Sequence, residues 1–205
     1  TTKWSTIRVP EELLELVPID VRHMWETKEK GTITIREFDN DIAFAFGGAH
    51  SANVKHKKFK GVRLKDVTSL YPNIIIVNFE ILGAATPLFK EIKDERARIK
   101  HTEPVRQEAL KTIINSISGL LKSEYSLLYN PKASVTMCAI GQIVLYDLGK
   151  RLAPTCTIVQ LNTDGVAFVP HTDDYKYICE QWEKDHNFQL EEDFYEVLIQ
   201  KDVNN

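Results

Sequence analysis

Cysteine is scarce in this sequence: Cys138, Cys156 and Cys179 stand far apart, with no Cys-x-x-Cys pair. That spacing argues against structural zinc, and an odd, sparse set suits a reducing compartment rather than a disulfide-stapled secreted domain. None of the six histidines pairs with a cysteine at a metal-ligand interval. No apolar run approaches the ~18 residues of a membrane span; the longest, Ile74-Ile75-Ile76-Val77, is closed by Asn78. No apolar stretch follows Thr1-Thr2-Lys3-Trp4, so no secretory signal is visible. Repeats, low-complexity tracts and Gly/Ser linkers are also missing. The chain has no initiator methionine and ends at Asn204-Asn205 after a strand-like run. We therefore expect a piece of a longer protein, cytoplasmic and without a membrane partner.

What is present is enough for a globular core, with 43% hydrophobic and 27% charged residues in 205. The net charge of −3 hides an uneven distribution. Residues 55–111 hold 13 Lys and Arg against 7 Asp and Glu, whereas residues 160–205 hold 3 against 11. A basic half beside an acidic half fits a phosphate-binding groove next to a cation site, and equally fits two solvated surfaces.

Pro10, Glu11 and Glu12 followed by Leu13, Leu14 and Leu16 predict a short helix with acids in its first turn. Residues 32–38 and 42–46 alternate as strands do, the second ending at Gly47-Gly48. The basic run Lys55-His56-Lys57-Lys58 leads into a strand where Val62 and Leu64 alternate and Asp66 stands at the end. Residues 88–100 predict a helix with Leu88, Ile92 and Ile99 on one face and Lys93, Arg96 and Lys100 on another. Further helices are predicted from Pro104 to about residue 121 and over 134–151. Strands 156–161 and 165–169 flank Asn162-Thr163-Asp164-Gly165 as a hairpin. A helix over 173–186 and a strand or hairpin over 188–200 complete the chain. From residue 42 on, the order β-β-α-α-α-β-β-α-β implies an α+β fold: a largely antiparallel sheet backed by helices, with a helical excursion in the middle.

Two acids and one helix carry the chemistry. Asp66 ends an apolar strand, a place that holds a carboxylate rigidly at a sheet edge for a hard cation such as Mg²⁺; capping the segment 69–77 is an equal reading. Asp164 sits at a hairpin tip anchored by apolar strands, a good platform for a ligand, although Asp-Gly is ordinary turn chemistry. On the helix after Pro104, Lys111 and Asn115 share a face with Gln107 and Gly119, while Ala109, Ile113, Ile117 and Leu120 face inward. Such a stripe can offer a cation to a triphosphate and an amide to a nucleotide; a solvated amphipathic helix is the plainer reading. Arg96 and Lys100 on the neighbouring helix favour the first.

Together these segments resemble the family B DNA polymerases. Asp66-Val67-Thr68-Ser69-Leu70-Tyr71-Pro72 is similar to their motif A, Asp-x-x-Ser-Leu-Tyr-Pro. Lys111-Thr112-Ile113-Ile114-Asn115-Ser116-Ile117-Ser118-Gly119 is similar to motif B, and Asn162-Thr163-Asp164-Gly165 to motif C. Phe46-Gly47-Gly48-Ala49-His50 resembles the Gly-Gly segment ahead of the polymerase core. The likeness covers roughly residues 44–200 and is nearest to bacteriophage or prophage members, which implies a bacterial cytoplasm.

The resemblance implies a palm sheet of the RRM/ferredoxin-like kind with a short helical fingers excursion. Residues 1–84 would hold the first part of the palm, 85–130 the fingers and 131–205 the rest of the palm. The exonuclease and thumb of the parent chain would be missing. It implies template-directed DNA synthesis by two-metal nucleotidyl transfer, from a dNTP to the primer strand of a primer-template DNA. Two Mg²⁺ ions, with Mn²⁺ able to substitute, would lie on Asp66, Asp164 and the Val67 carbonyl. The nucleotide would meet Ser69, Leu70, Tyr71, Arg96, Lys100, Lys111 and Asn115, with Lys111 also a proton donor to pyrophosphate and Tyr71 a gate beneath the sugar. Gly47, Gly48, Lys57, Lys58 and Lys201 would touch DNA. Three departures stand out: Asn162 replaces the first acid of motif C, Gly165 a serine, and Ser118 a tyrosine. The alternative is a catalytically silent palm-fold fragment that binds nucleic acid. Another palm-type enzyme fits less well: a reverse transcriptase would carry paired aspartates at the hairpin, and a cyclase has no use for the Lys111–Asn115 helix.

Overall fold

The computed structural model describes residues 9–27, 31–77 and 81–200. Two short helices, α1 (Glu11–Leu14) and α2 (Ile19–Glu26), precede a three-stranded antiparallel sheet of β1 (Ile33–Glu37), β2 (Asn40–Phe44) and β3 (His50–Asn53). Then come the long strand β4 (Lys58–Val67) and the helices α3 (Leu70–Val77), α4 (Thr86–Ile99), α5 (Pro104–Leu120) and α6 (Pro131–Leu152). The hairpin β5 (Cys156–Leu161) and β6 (Gly165–Pro170), helix α7 (Asp174–His186) and strand β7 (Leu190–Ile199) follow.

The second sheet runs β5-β6-β4-β7, every neighbouring pair antiparallel. With α6 and α7 as its two crossovers, the chain traces β4-α6-β5-β6-α7-β7, the split β-α-β arrangement of ferredoxin-like sheets. Helices α3, α4 and α5 are an insertion between β4 and α6. The expected α+β architecture, a largely antiparallel sheet backed by helices with a helical excursion, is what the chain adopts.

Helix α6 is the core of the molecule. Asn130 caps it, its side chain accepting from the Ala133 N–H, and Pro131 occupies the first turn. Every residue from Ala133 to Gly149 is buried, so the helix is packed on all its faces. Small residues set its contacts: a Cβ at Gly141 would stand 3.2 Å from Cε1 of Tyr71. A buried polar joint ties the two sheets together. The Nδ2 groups of Asn40 and Asn53 both donate to the Ile158 carbonyl at 2.9 Å, where β5 shifts register between Ile158 and Gln160. Ser51 Oγ donates to Asn40 Oδ1 and accepts from the Leu161 N–H.

The structure corrects several expected details. Helix α2 and strand β3 go beyond the elements the sequence pattern predicts, whereas the segment 69–77 of the cap reading is helix α3; α2 buries Val21, Met24 and Trp25 at helical spacing, but over only eight residues. Of the strand and hairpin readings of residues 188–200 the strand holds, as β7 (Leu190–Ile199), because β4 is long enough to pair with all of it. On α4 the inward residues are Phe89 and Ile99, while Leu88 is exposed. On α5 the inward line passes through Ile114 and Leu121 rather than Ile113 and Leu120. Ile92, Ile99 and Ile117 pack inward as expected; Leu88, Ile113 and Leu120 do not, because the insertion packs its helices against each other and α3 rather than onto the sheet. No helix among the described residues is long and apolar enough to cross a membrane.

Candidate active site

Asp66 is the penultimate residue of β4, opposite Gly165 of β6 on one side and Glu191 of β7 on the other. It belongs to the sheet, so the cap reading falls away. The Val67 N–H donates to the Asp164 carbonyl at 2.8 Å, and the Asn162 N–H donates to the Gly165 carbonyl at 2.8 Å, fixing the hairpin tip against the end of β4. Past β4 the chain reverses through Ser69, a non-glycine residue at φ 53°. The Asn73 N–H donates to the Ser69 carbonyl and its side chain to the Thr68 carbonyl, which locks that turn. Leu70 and Tyr71 then head α3, where backbone N–H groups have no partner within the helix.

A cavity of about 230 Å³ opens at this junction, lined by Val67, Ser69, Leu70, Tyr71, Pro72, Arg96, Lys111, Asn115 and Asp164. It gathers the end of β4, the start of α3, one face each of α4 and α5, and the tip between β5 and β6. Arg96 brings a buried Nε that has no hydrogen-bond partner, a donor whose burial calls for an acceptor from elsewhere. Among the described residues Lys111 pairs with Glu108 of its own helix, at 3.3 Å on the surface. The Tyr71 ring lies against Gly141. Burial, and next the nearby Cys138 and Asp164, push its hydroxyl well above the ordinary tyrosine range.

Asp66 stands beside this cavity rather than in its wall. Its carboxylate lies over Gly165, so close that a Cβ on residue 165 would overlap Oδ1. Gly165, met in the sequence as a departure from serine, is therefore what makes room for this carboxylate. Burial foremost, then Asp164, Asp193 and Glu191, raise the Asp66 carboxyl from an ordinary 3.8 to about 6. Glu191 and Asp193 were not singled out from the sequence; their signal is the alternation that puts every second residue of β7 on the face of Asp66.

Among the described residues no group of three or more His, Cys, Asp or Glu is arranged to hold a metal. What the site offers is two mutually repelling carboxylates and nearby main-chain carbonyls. That donor set fits Mg²⁺, which takes hard oxygen ligands and fills its remaining positions with water and phosphate oxygens.

Other expected site residues lie elsewhere. The Lys100 ammonium bonds Glu191 at 3.3 Å and does not line the cavity; it ties the end of α4 to β7. Gly47 gives its carbonyl to Gln142 Nε2 at 2.7 Å, and Gly48 lies against Thr163. Lys57 and Lys58 are exposed at the far end of β4, roughly 25 Å from Asp66 at ~3.3 Å per residue. Lys201 lies outside the described residues.

No protein-family model matches the sequence, and no curated protein does. Among solved structures the chain is similar to the family B DNA polymerase from the hyperthermophilic archaeon Pyrobaculum calidifontis, with a TM-score of 0.57 at 16% identity. The alignment covers 90% of this chain and 29% of that polymerase. At that identity the likeness shows the fold; this chain spans less than a third of the polymerase it matches.

Proposed function

We propose that this chain is the nucleotidyl-transfer core of a template-directed DNA polymerase. The observation that carries the reading is the cavity in which Arg96, Lys111, Asn115, Tyr71 and Asp164, distant in sequence, converge beside Asp66. In the reaction a bond forms between the primer 3′-oxygen and the α-phosphorus of a dNTP, the bond to pyrophosphate breaks, and the 3′-hydroxyl loses its proton. Arg96 and Lys111 hold the triphosphate, aided by the N–H groups of Leu70 and Tyr71 at the head of α3. Lys111, free to leave its surface contact with Glu108, gives a proton to the departing pyrophosphate. Asn115 and Tyr71 lie along the sugar and base. Asp66, Asp164 and the Val67 carbonyl would hold the Mg²⁺ ions, for which Mn²⁺ would substitute; bound there, the ions would lower the pKa of the 3′-hydroxyl and neutralise phosphate charge. Lys100 reaches the phosphates only by releasing Glu191.

The test is Mg²⁺-dependent primer extension by the full-length protein. Asp66→Ala and Asp164→Ala should each reduce extension to background while primer-template binding persists; undiminished extension by either variant overturns the reading. The position of the Asp66 carboxylate outside the cavity wall favours a second reading, a palm that binds nucleic acid without catalysis. DNA binding by the full-length wild type with no extension under Mg²⁺ or Mn²⁺ would decide for it.

A further inference from the structure

The Gly-Gly segment packs against the hairpin tip that carries Asp164. Gly48 has an ordinary φ, unlike Gly61 and Gly83, so its backbone does not require glycine. The space does. A Cβ on Gly48 would stand 2.6 Å from Thr163 Oγ1, 2.8 Å from Cγ2 and 2.9 Å from Cβ. Contacts that close do not occur between real side chains, and one of the three atoms belongs to the start of the Thr163 side chain, which no rotamer moves.

Neither partner is free to retreat. Gln142, deep within α6 and 1% exposed, grips the segment ahead of Gly48. Its Oε1 accepts from the Ala45 N–H at 3.1 Å, and its Nε2 donates to the Ala45 and Gly47 carbonyls at 2.9 and 2.7 Å. Trp25 Nε1 adds a bond to the Ala45 carbonyl. On the other side, the bonds from Val67 N–H to Asp164 and from Asn162 N–H to Gly165 hold the tip. Thr163 is thus caught between an anchored segment and the residue that follows it, Asp164.

We propose that Gly48 is a positioning residue for Asp164, acting through Thr163, with Gln142 of α6 as the anchor of the segment. This gives the segment a task separate from DNA contact. It rests on the reading of Asp164 as a functional acid only for its consequence in catalysis; the packing role stands independently. Because the segment is tied to the core helix, the height of the tip above β4 is set from α6, not by the turn residues alone.

The test is a double-mutant series in the full-length protein: Gly48→Ala, Thr163→Ala and Thr163→Gly, and each Thr163 variant combined with Gly48→Ala. Amide hydrogen exchange at Val67 and Asn162 reads the tip without any metal or substrate. Gly48→Ala should speed exchange at these two amides tenfold or more, with amides in the middle of α6 and α7 unchanged. In the Thr163→Gly background, where all three opposing atoms are gone, Gly48→Ala should add less than about twofold; the Thr163→Ala background should fall between. Equal effects of Gly48→Ala in all three backgrounds, or no effect in any, overturn the proposal. So does a uniform rise across α6, which would mark general destabilisation. In the full-length protein, primer extension by Gly48→Ala should fall and recover in the combined variants. If Asp164→Ala extends normally while the exchange pattern appears, the polymerase reading fails and the positioning role survives.

Discussion

Asp66 is a carboxylate held where it is expensive to be charged. Burial foremost, and then the repulsion of Asp164, Asp193 and Glu191, disfavours its charge; its partners across the two strand pairings are Gly165 and Glu191. The sign of the pH effect follows. A carboxyl raised from 3.8 to about 6 binds its proton more tightly in the folded than in the unfolded chain. The resulting penalty is absent below about pH 4, grows as pH rises to about 6, and is constant above. Asp66→Asn removes it without changing shape. In metal-free buffer the variant should melt above wild type at pH 7 and 8, with the gap closing between pH 6 and 4. A gap independent of pH would show that the acids do not repel through this residue.

The elements divide the work between rigidity and access. β4 and the β5–β6 hairpin are paired along their length, and α6 is buried almost throughout; α5 presents most of its surface to solvent, with only Ile114 fully buried. The rigid elements carry the acids, and the inserted helices bring Arg96 and Lys111. The joint between the two sheets rests on buried side-chain hydrogen bonds. Asn53 donates to the Ile158 carbonyl, and its Oδ1 accepts from the Lys55 and His56 N–H groups. Asn53→Ala takes the acceptor from the Lys55 and His56 N–H groups and leaves the Ile158 carbonyl to Asn40 alone, and should lower stability by about 1–2 kcal/mol, measured by urea unfolding. A loss under about 0.5 kcal/mol would mean that water replaces the side chain and the joint is not what fixes β3 to β5.

At the scale of the molecule, charge is segregated. The acids of β7 gather beside Asp66, while Lys55, Lys57, Lys58 and Lys60 lie at the start of β4. Strand β4 therefore runs from a basic end to an acidic one, with the cavity at the acidic end. A polyanion on this surface would be held at one end and would need cations at the other. Replacing Lys57 and Lys58 by alanine should weaken DNA binding by the full-length protein without regard to sequence. It should also reduce the slope of log K against log salt by about 2. An unchanged slope would remove these lysines from the DNA path.

The sequence by itself determined the α+β class, the strand ending in Asp66, the hairpin tip at Asp164 and the helix bearing Lys111 and Asn115. Each is a local matter: alternation, turn residues and helical spacing are written in neighbouring positions. Tertiary structure decided that residues from 67 to 164 meet in one cavity, and that Lys57 and Lys58 lie far from it. It decided which faces of α4 and α5 turn inward, since the partner was another inserted helix. It also gave the glycines their reasons: Gly48 makes way for Thr163 and Gly165 for Asp66, across 115 and 99 positions of sequence respectively. A glycine's own neighbours do not reveal which distant side chain needs its missing Cβ, and only the packed chain brings the two together.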